Sequence, residues 1–294
     1  MKKNVFVCGL LTCVIFLQGC SAKAPSYKDN WSEARNLANA GGLMMGIKDR
    51  PASEAKALYS GPGVGLGDLI AIANVGVGAF EGGVLGMSGA GSAAFNAAHG
   101  VWAVSDSDQW SANRFFAYVP QNQAHNQAEA RKLLEDKLLS HSAEVLNGQG
   151  FKLKKIDKKI LNDGVPVLQW SLVNEDYGCV ESANNCVLVI YLNASKYFYN
   201  KPKPDFIGLG IGEKTWYTSA LSQTSFNTID VVARGLEKPL PELEFYQELS
   251  TKMPDWFVLY VGPGKAMSSK FKSGTLPYNI IVLNSGRTLE FMEP

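Results

Sequence analysis

Cysteines stand at two places in this chain where their spacing predicts chemistry, and the first is Cys20. Lys2 and Lys3 precede an apolar run, Val5–Leu17, that carries no charge and is too short for a permanent membrane span. A basic start followed by a short apolar run is typical of a secretory signal. We therefore expect an exported chain, with the thiol of Cys20 just beyond the run.

The residues around this thiol match a known pattern. Leu17, Gln18, Gly19 and Cys20 fit the lipobox, and the first twenty residues resemble those of bacterial lipoprotein precursors. The resemblance implies cleavage before Cys20, a diacylglycerol on its sulfur and an acylated amino group carrying a chain such as palmitate. Ser21 follows the cysteine, which in bacteria like the enteric ones implies sorting to the outer membrane. An ordinary signal peptide is the alternative, but no A-x-A-like site ends the run.

Cleavage also changes the charge. It removes two lysines and no acidic residue, so the formal net charge of +1 falls by two. The remaining chain is not polybasic, which argues against nucleic acid as a partner. Its length suits one large domain or two small ones.

The second cysteine site is the pair Cys179 and Cys186, because Cys8 and Cys13 leave with residues 1–19. Polar residues separate the pair, and apolar runs flank it at Val165–Val173 and Val187–Leu192. This pattern predicts two strands whose connecting turn is tied by a disulfide, contributing roughly 2–3 kcal/mol on the chain-entropy model. A redox or metal-binding pair is the alternative, although the spacing is not C-x-x-C.

Residues 61–104 are rich in glycine and carry only two formal charges, Asp68 and Glu81. Small or polar residues recur there at every fourth position and would form one smooth row on a helix. This glycine row consists of Asn74, Gly78, Gly82, Gly86 and Ala90. It contains two overlapping G-x-x-x-G units, which let helices approach closely in a membrane. We predict a helical hairpin of two short apolar segments, in which Glu81 faces a packing partner or water.

Two alternatives stay open for this segment. Gly- and Ala-rich apolar stretches also form tightly packed helix pairs inside soluble domains, and G-x-x-x-G by itself often occurs without a function. Irregular structure is the other alternative, because each glycine disfavours an isolated helix by about 1 kcal/mol relative to alanine.

Residues 20–60 are predicted to form a lipidated tether with short helices, one of them starting near Trp31 and capped by Asn30. Residues 111–294 predict a periplasmic α+β domain with an open, mostly antiparallel sheet. Helices are expected at Asn126–Asn147 and Leu240–Met253. Strands are expected at Phe115–Val119, Phe151–Ile156, Val165–Val173, Val187–Leu192, Phe206–Ile211, Trp216–Ser219, Trp256–Val261, Tyr278–Leu283 and Thr288–Met292.

A search for catalytic patterns finds little. The chain has three histidines, His99, His125 and His141, and no H-E-x-x-H, G-x-S-x-G or phosphate-loop motif. On one helix, His125 and His141 would point in nearly opposite directions. We therefore predict no enzyme activity, no cofactor and no metal, with an unseen spatial triad as the alternative.

Together these patterns predict a lipoprotein of the outer membrane that serves as a structural or assembly subunit of an envelope complex, in which the glycine row drives self-association. A periplasmic lipoprotein that binds a ligand or protein is the main alternative, and an envelope hydrolase is another. The layout is also similar to that of plasmid surface-exclusion lipoproteins, which combine a lipobox with Gly-rich apolar segments.

The lipid anchor can be tested at Cys20. The substitution Cys20→Ala should abolish incorporation of a labelled fatty acid, because no thiol remains to carry the diacylglycerol. The protein should then stay as an uncleaved precursor or become soluble. Fatty-acid label that persists on the alanine variant would contradict the lipobox assignment.

Overall fold

The computed structural model describes residues 24–43, 49, 51, 113–160, 166–183, 185–208, 213–220, 227–233, 236, 238, 240–262 and 281–294. Several predicted sites lie outside the described residues, namely Cys20, Asn74, Gly78, Glu81, Gly82 and Gly86. Within the described part, no helix combines the length and the apolar character that a membrane crossing requires.

The described residues form an α+β fold, as the sequence predicts. The helices are α1 (Glu33–Ala40), α2 (Gln127–Gly148) and α3 (Glu242–Lys252). The strands are β1 (Arg114–Pro120), β2 (Lys152–Ile160), β3 (Pro166–Val173), β4 (Cys186–Tyr191), β5 (Tyr199–Pro202), β6 (Lys214–Thr218), β7 (Thr228–Ala233), β8 (Phe257–Val261), β9 (Ile281–Asn284) and β10 (Arg287–Glu290).

The strands form two open antiparallel sheets, where the sequence predicts one. The larger sheet has the order β10-β9-β8-β1-β6-β5, and the smaller has the order β2-β3-β4-β7. They meet where the Phe115 N–H donates to the Asn227 carbonyl at 3.2 Å. The start of β1 therefore lies beside the start of β7, at the part of β1 that β6 does not pair with.

Helices α1 and α3 cover opposite faces of the larger sheet. In β10, Arg287 forms an ion pair with Glu33 of α1 at 2.7 Å. The next residue, Thr288, accepts a hydrogen bond from Gln247 of α3 at 3.3 Å. Successive side chains of a strand point to opposite faces, so the two helices lie on opposite sides.

Helix α2 shares a layer with α3. The Lys252 ammonium lies 2.7 Å from the Glu144 carboxylate and links the two helices. Asn126 caps α2 by accepting from the Glu129 N–H at 2.9 Å, and Glu129 accepts in return from the His125 N–H at 2.8 Å. The predicted start of the helix is confirmed, because this reciprocal cap begins the helix directly after Asn126.

The predicted disulfide is confirmed. Cys179 and Cys186 are bonded, with their Cα atoms 5.5 Å apart. The Asn174 N–H donates to the Cys179 carbonyl at 2.9 Å, so the chain folds back on itself directly after β3. The bond thus closes the connection between β3 and β4.

Some predicted elements are wrong or missing. Ser32, not Asn30, caps α1, because its hydroxyl accepts from the Arg35 N–H at 3.0 Å. The described part of Phe206–Ile211 is a turn, which the bond from the Ile207 N–H to the Pro204 carbonyl closes. Sequence patterns also missed β5, which is polar and exposed, and β7, whose apolar run is interrupted by Asp230.

Helix α1 is packed into the domain, although its residues fall in the predicted tether 20–60. The Tyr118 hydroxyl donates to the Ala40 carbonyl at 3.0 Å, and the Ser219 hydroxyl donates to the Gly41 carbonyl at 3.0 Å. A Cβ at Gly41 would overlap the ring of Phe116. Close contact between α1 and β1 therefore requires glycine at this position.

This contact predicts that Gly41→Ala destabilises the domain by about 1–3 kcal/mol, because the added methyl group overpacks the core. Gly148→Ala is the matched control, since a Cβ there meets nothing within 4 Å. Alanine should stabilise the end of α2 slightly. Urea unfolding of both variants measures the difference, and equal effects on the free energy of unfolding would contradict the packing of α1.

Candidate functional site

The smaller sheet has two faces that differ in their surroundings. On one face, Leu168, Leu172, Leu188 and Ile190 belong to the continuous apolar core of the domain. Helix α2 lies over this face, where Leu139 and Leu168 help to line a groove of about 390 Å³.

The opposite face we call the valine face. It consists of Val167, Gln169 and Ser171 on β3, Val187, Val189 and Tyr191 on β4, and Asp230 on β7. The strand register confirms that these residues share one face, because Gln169 pairs with Val189 and Val189 pairs with Asp230. Gln169 and Asp230 are two strands apart, a distance of about 10 Å.

The valine face is buried, although none of the described helices packs on it. Val187, Val189 and Tyr191 are each only 3% exposed. They nevertheless lie outside the continuous core formed by the described apolar residues. Because α2 and α3 lie on the other side, the valine face is on the same side of the molecule as α1. The described helices therefore do not account for the burial of the valine face.

Polar atoms on the valine face lack partners among the described residues. These atoms are Nε2 of Gln169, Oγ of Ser171 and Oδ2 of Asp230. Gln169 is 2% exposed and Ser171 is 6% exposed, so water cannot readily satisfy them. An unsatisfied buried polar atom costs about 1–3 kcal/mol.

At the edge of this face a buried polar network joins the two sheets. The Asn113 amide donates to the Asp230 carboxyl at 3.1 Å and to the Tyr246 hydroxyl at 2.9 Å. The Tyr246 hydroxyl also accepts from the Val231 N–H at 3.2 Å and donates to the Ile229 carbonyl at 3.3 Å. The Tyr246 hydroxyl thereby provides hydrogen-bond partners for backbone groups on the outer edge of β7, as a neighbouring strand would.

The charges of this network are strongly perturbed. Burial raises the pKa of Asp230 from 3.8 to about 7, while the hydrogen bond from Asn113 and the charge of Arg114 act in the opposite direction. Burial lowers the pKa of Arg114 from 12.5 to about 10, so its guanidinium stays charged at neutral pH. Burial also raises the pKa of Tyr246, which keeps the phenol neutral.

A perturbed carboxyl can serve as a general acid or base, and so the surroundings of Asp230 decide its chemistry. Its neighbours in this network are the Asn113 amide, the Arg114 guanidinium and the hydroxyls of Tyr246 and Thr228. None of these is a nucleophile paired with a base. Among the described residues, no group of three or more His, Cys, Asp or Glu is placed to hold a metal.

A second, polar cleft of about 350 Å³ lies at the far end of β1. Lys137, Lys203, Glu213 and Asp255 contribute to its wall. Lys203 is buried and donates to the carbonyl groups of Ile207 and Gly208. The cleft therefore brings side chains of both charges together in a space large enough for a small polar ligand.

Among the described residues, the structure brings together one of the sets predicted from sequence, the pair Cys179 and Cys186. His125 lies before α2, whereas His141 lies within it and faces Glu144 at 3.6 Å. The valine face was missed, since its polar residues alternate with apolar core residues. Asp230 inside an apolar strand was the available signal.

Comparison with protein-family models, with curated proteins and with solved structures finds no match to this chain.

The network predicts a specific pH dependence. Because the pKa of Asp230 is raised to about 7, the folded state holds a proton that the unfolded state loses near pH 3.8. The stability from this proton is complete below pH 3.8 and is lost as the pH rises through about 7. Between pH 4 and pH 8, the free energy of unfolding should fall by roughly 2–4 kcal/mol on account of this group.

Asp230→Asn keeps the shape and removes the titration, so the variant should lack this fall. Asp136→Asn on the exposed side of α2 is the matched control and should retain it. Urea unfolding across the pH range gives the comparison. An Asp230→Asn variant with the same slope as the wild type would show that Asp230 does not hold the proton.

Proposed function

We propose that this chain is a lipid-anchored lipoprotein of the outer membrane that works as a structural or assembly subunit of an envelope complex. The packing of α1 into the domain carries the proposal, because it places the folded domain within a few residues of Cys20. The glycine row of residues 61–104 supplies the packing element of the complex through self-association.

The position of α1 supports a domain held close to the membrane. Tyr27 packs against Phe206 with ring centroids 5.4 Å apart, so the folded domain begins there. The chain from Cys20 to Tyr27 spans at most about 25 Å when fully extended. An acylated Cys20 would therefore place α1 near the headgroup region.

Aromatic and basic side chains near this point suit a membrane surface. The ring of Trp31 lies between the Lys28 ammonium, 3.7 Å from the ring centroid, and the Arg35 guanidinium, 4.1 Å from it. Tyr27 is 45% exposed. Amphipathic aromatic and cationic groups are favoured at headgroup depth.

The disulfide supports export. A bond between Cys179 and Cys186 is typical of proteins from oxidising compartments such as the periplasm. It agrees with a domain that faces the periplasm behind a lipid anchor.

The polar cleft favours a second candidate, a periplasmic lipoprotein that binds a small ligand. Lys137 and Glu213 on its wall offer one charge of each sign to such a ligand. The mass of the purified protein separates the two proposals. Assembly requires a particle of several copies, whereas ligand binding is compatible with a single copy.

The self-association proposal predicts that Gly82→Leu lowers the mass of the detergent-extracted particle, because a bulky side chain keeps the glycine rows apart. Val84→Leu is the matched control in the same segment and should leave the mass unchanged. Light scattering after extraction in mild detergent measures it. A Gly82→Leu protein with unchanged mass but a large loss of domain stability would reject self-association through the row.

A further inference from the structure

Three large apolar side chains are exposed in the described part of the chain, and two of them are tyrosines. Tyr27 is 45% exposed and Tyr199 is 44% exposed, while the third residue is Val180. Single apolar side chains are common on protein surfaces. The two tyrosines therefore form a surface only if the fold brings them to one side of the domain.

Tyr199 lies on the same side of the larger sheet as α1. It pairs with Tyr217 across β5 and β6, so both side chains are on one face. The ring of Tyr217 lies 4.7 Å from that of Tyr118, and the Tyr118 hydroxyl donates to the Ala40 carbonyl at the end of α1. Because β5 is the last strand of the sheet, Tyr199 lies at the border of this face.

Tyr27 lies on the α1 side as well. The backbone N–H of the next residue, Lys28, donates to the Asn36 side chain of α1 at 2.9 Å. The ring of Tyr27 packs against that of Phe206, with the centroids 5.4 Å apart. Phe206 follows Tyr199 by seven residues, which span at most about 25 Å. Both tyrosines therefore lie on one side of the domain, near the border formed by β5.

A lysine accompanies each tyrosine. Lys28 follows Tyr27 and is exposed. Lys201 lies on the same face as Tyr199, and its ammonium is 4.4 Å from the centroid of the Tyr217 ring. The exposed Asp29 adjoins Lys28, so the tyrosines rather than net charge define this surface. Tyrosine rings and lysine side chains are both favoured at the boundary between lipid headgroups and acyl chains.

We propose that these four residues, the tyrosine surface of Tyr27, Lys28, Tyr199 and Lys201, rest on the phospholipid headgroups of the membrane that holds the anchor. The length of the chain favours this occupant, because the seven residues from Cys20 to Tyr27 span at most about 25 Å. The inference rests on the lipid anchor of the proposed function, which holds the surface at the membrane.

Contact through Tyr199 fixes an orientation that a tether alone leaves free. The side of the domain that carries α1 faces the lipid, whereas α2 and α3 face the aqueous phase. Exposed positions on the two sides must then differ in their distance from the headgroups.

Fluorescence quenching in vesicles measures this distance in the full-length, acylated protein. The variant Tyr199→Cys is labelled with nitrobenzoxadiazole, since Cys20 is acylated and Cys179 and Cys186 are bonded to each other. The vesicles contain phosphatidylethanolamine, phosphatidylglycerol and a lipid with a spin-labelled headgroup. Emission from position 199 should fall about twofold, because the probe lies at headgroup depth. Lys132→Cys, at an exposed position of α2, is the control and should keep its emission.

A probe at Lys201→Cys protects the test against misfolding of the first variant and should be quenched to the same extent. With the probe at position 201, Tyr199→Asp should remove the quenching, because a carboxylate does not enter the headgroup boundary. Asn200→Asp is the matched control, since Asn200 is exposed on the opposite face of β5, and it should leave the quenching unchanged. Quenching that survives Tyr199→Asp, or that is equal at positions 132 and 199, would overturn the proposal.

Flotation of the same vesicles distinguishes this inference from the proposed function. Protein that floats with the vesicles, keeps the bond between Cys179 and Cys186 and shows no quenching at positions 199 and 201 retains the anchor and overturns the docking. Protein that does not float with the vesicles overturns the anchor, and the docking with it.

Discussion

The junction between the two sheets is the contact on which the rest of the fold depends. The outer edge of β7 has no neighbouring strand beside Ile229 and Val231 among the described residues. The Tyr246 hydroxyl takes that place, because it accepts from the Val231 N–H and donates to the Ile229 carbonyl. Asn227 completes the junction, because its amide donates to Thr218 at 3.0 Å and its carbonyl accepts from Phe115. With this edge satisfied, two open sheets form a single framework with α2 and α3 on one side.

The same junction determines where charge is buried. Satisfying the edge of β7 brings Asn113 and Arg114 against Asp230, and burial then moves the pKa of Asp230 to about 7. Carboxyl groups in such surroundings often serve catalysis. Here the neighbours of Asp230 bind one another and the backbone of β7, so the network joins β7 to Asn113 and to α3.

The asymmetry of the layers follows from the junction as well. Helices α2 and α3 complete the core on one side, whereas α1 covers only part of the other. The valine face occupies the remainder, and its unsatisfied polar atoms distinguish it from ordinary core.

The sequence by itself determined the features that depend on neighbouring residues. The 3.6-residue period and the Asn126 cap define α2, the turn at Ser285 and Gly286 joins β9 to β10, and the spacing of Cys179 and Cys186 suits a short disulfide loop. Only the tertiary structure decided that the strands divide into two sheets and that Asp230 meets Asn113. The contact between Asn113 and Asp230 joins residues 117 positions apart, so local periodicity carries no information about it.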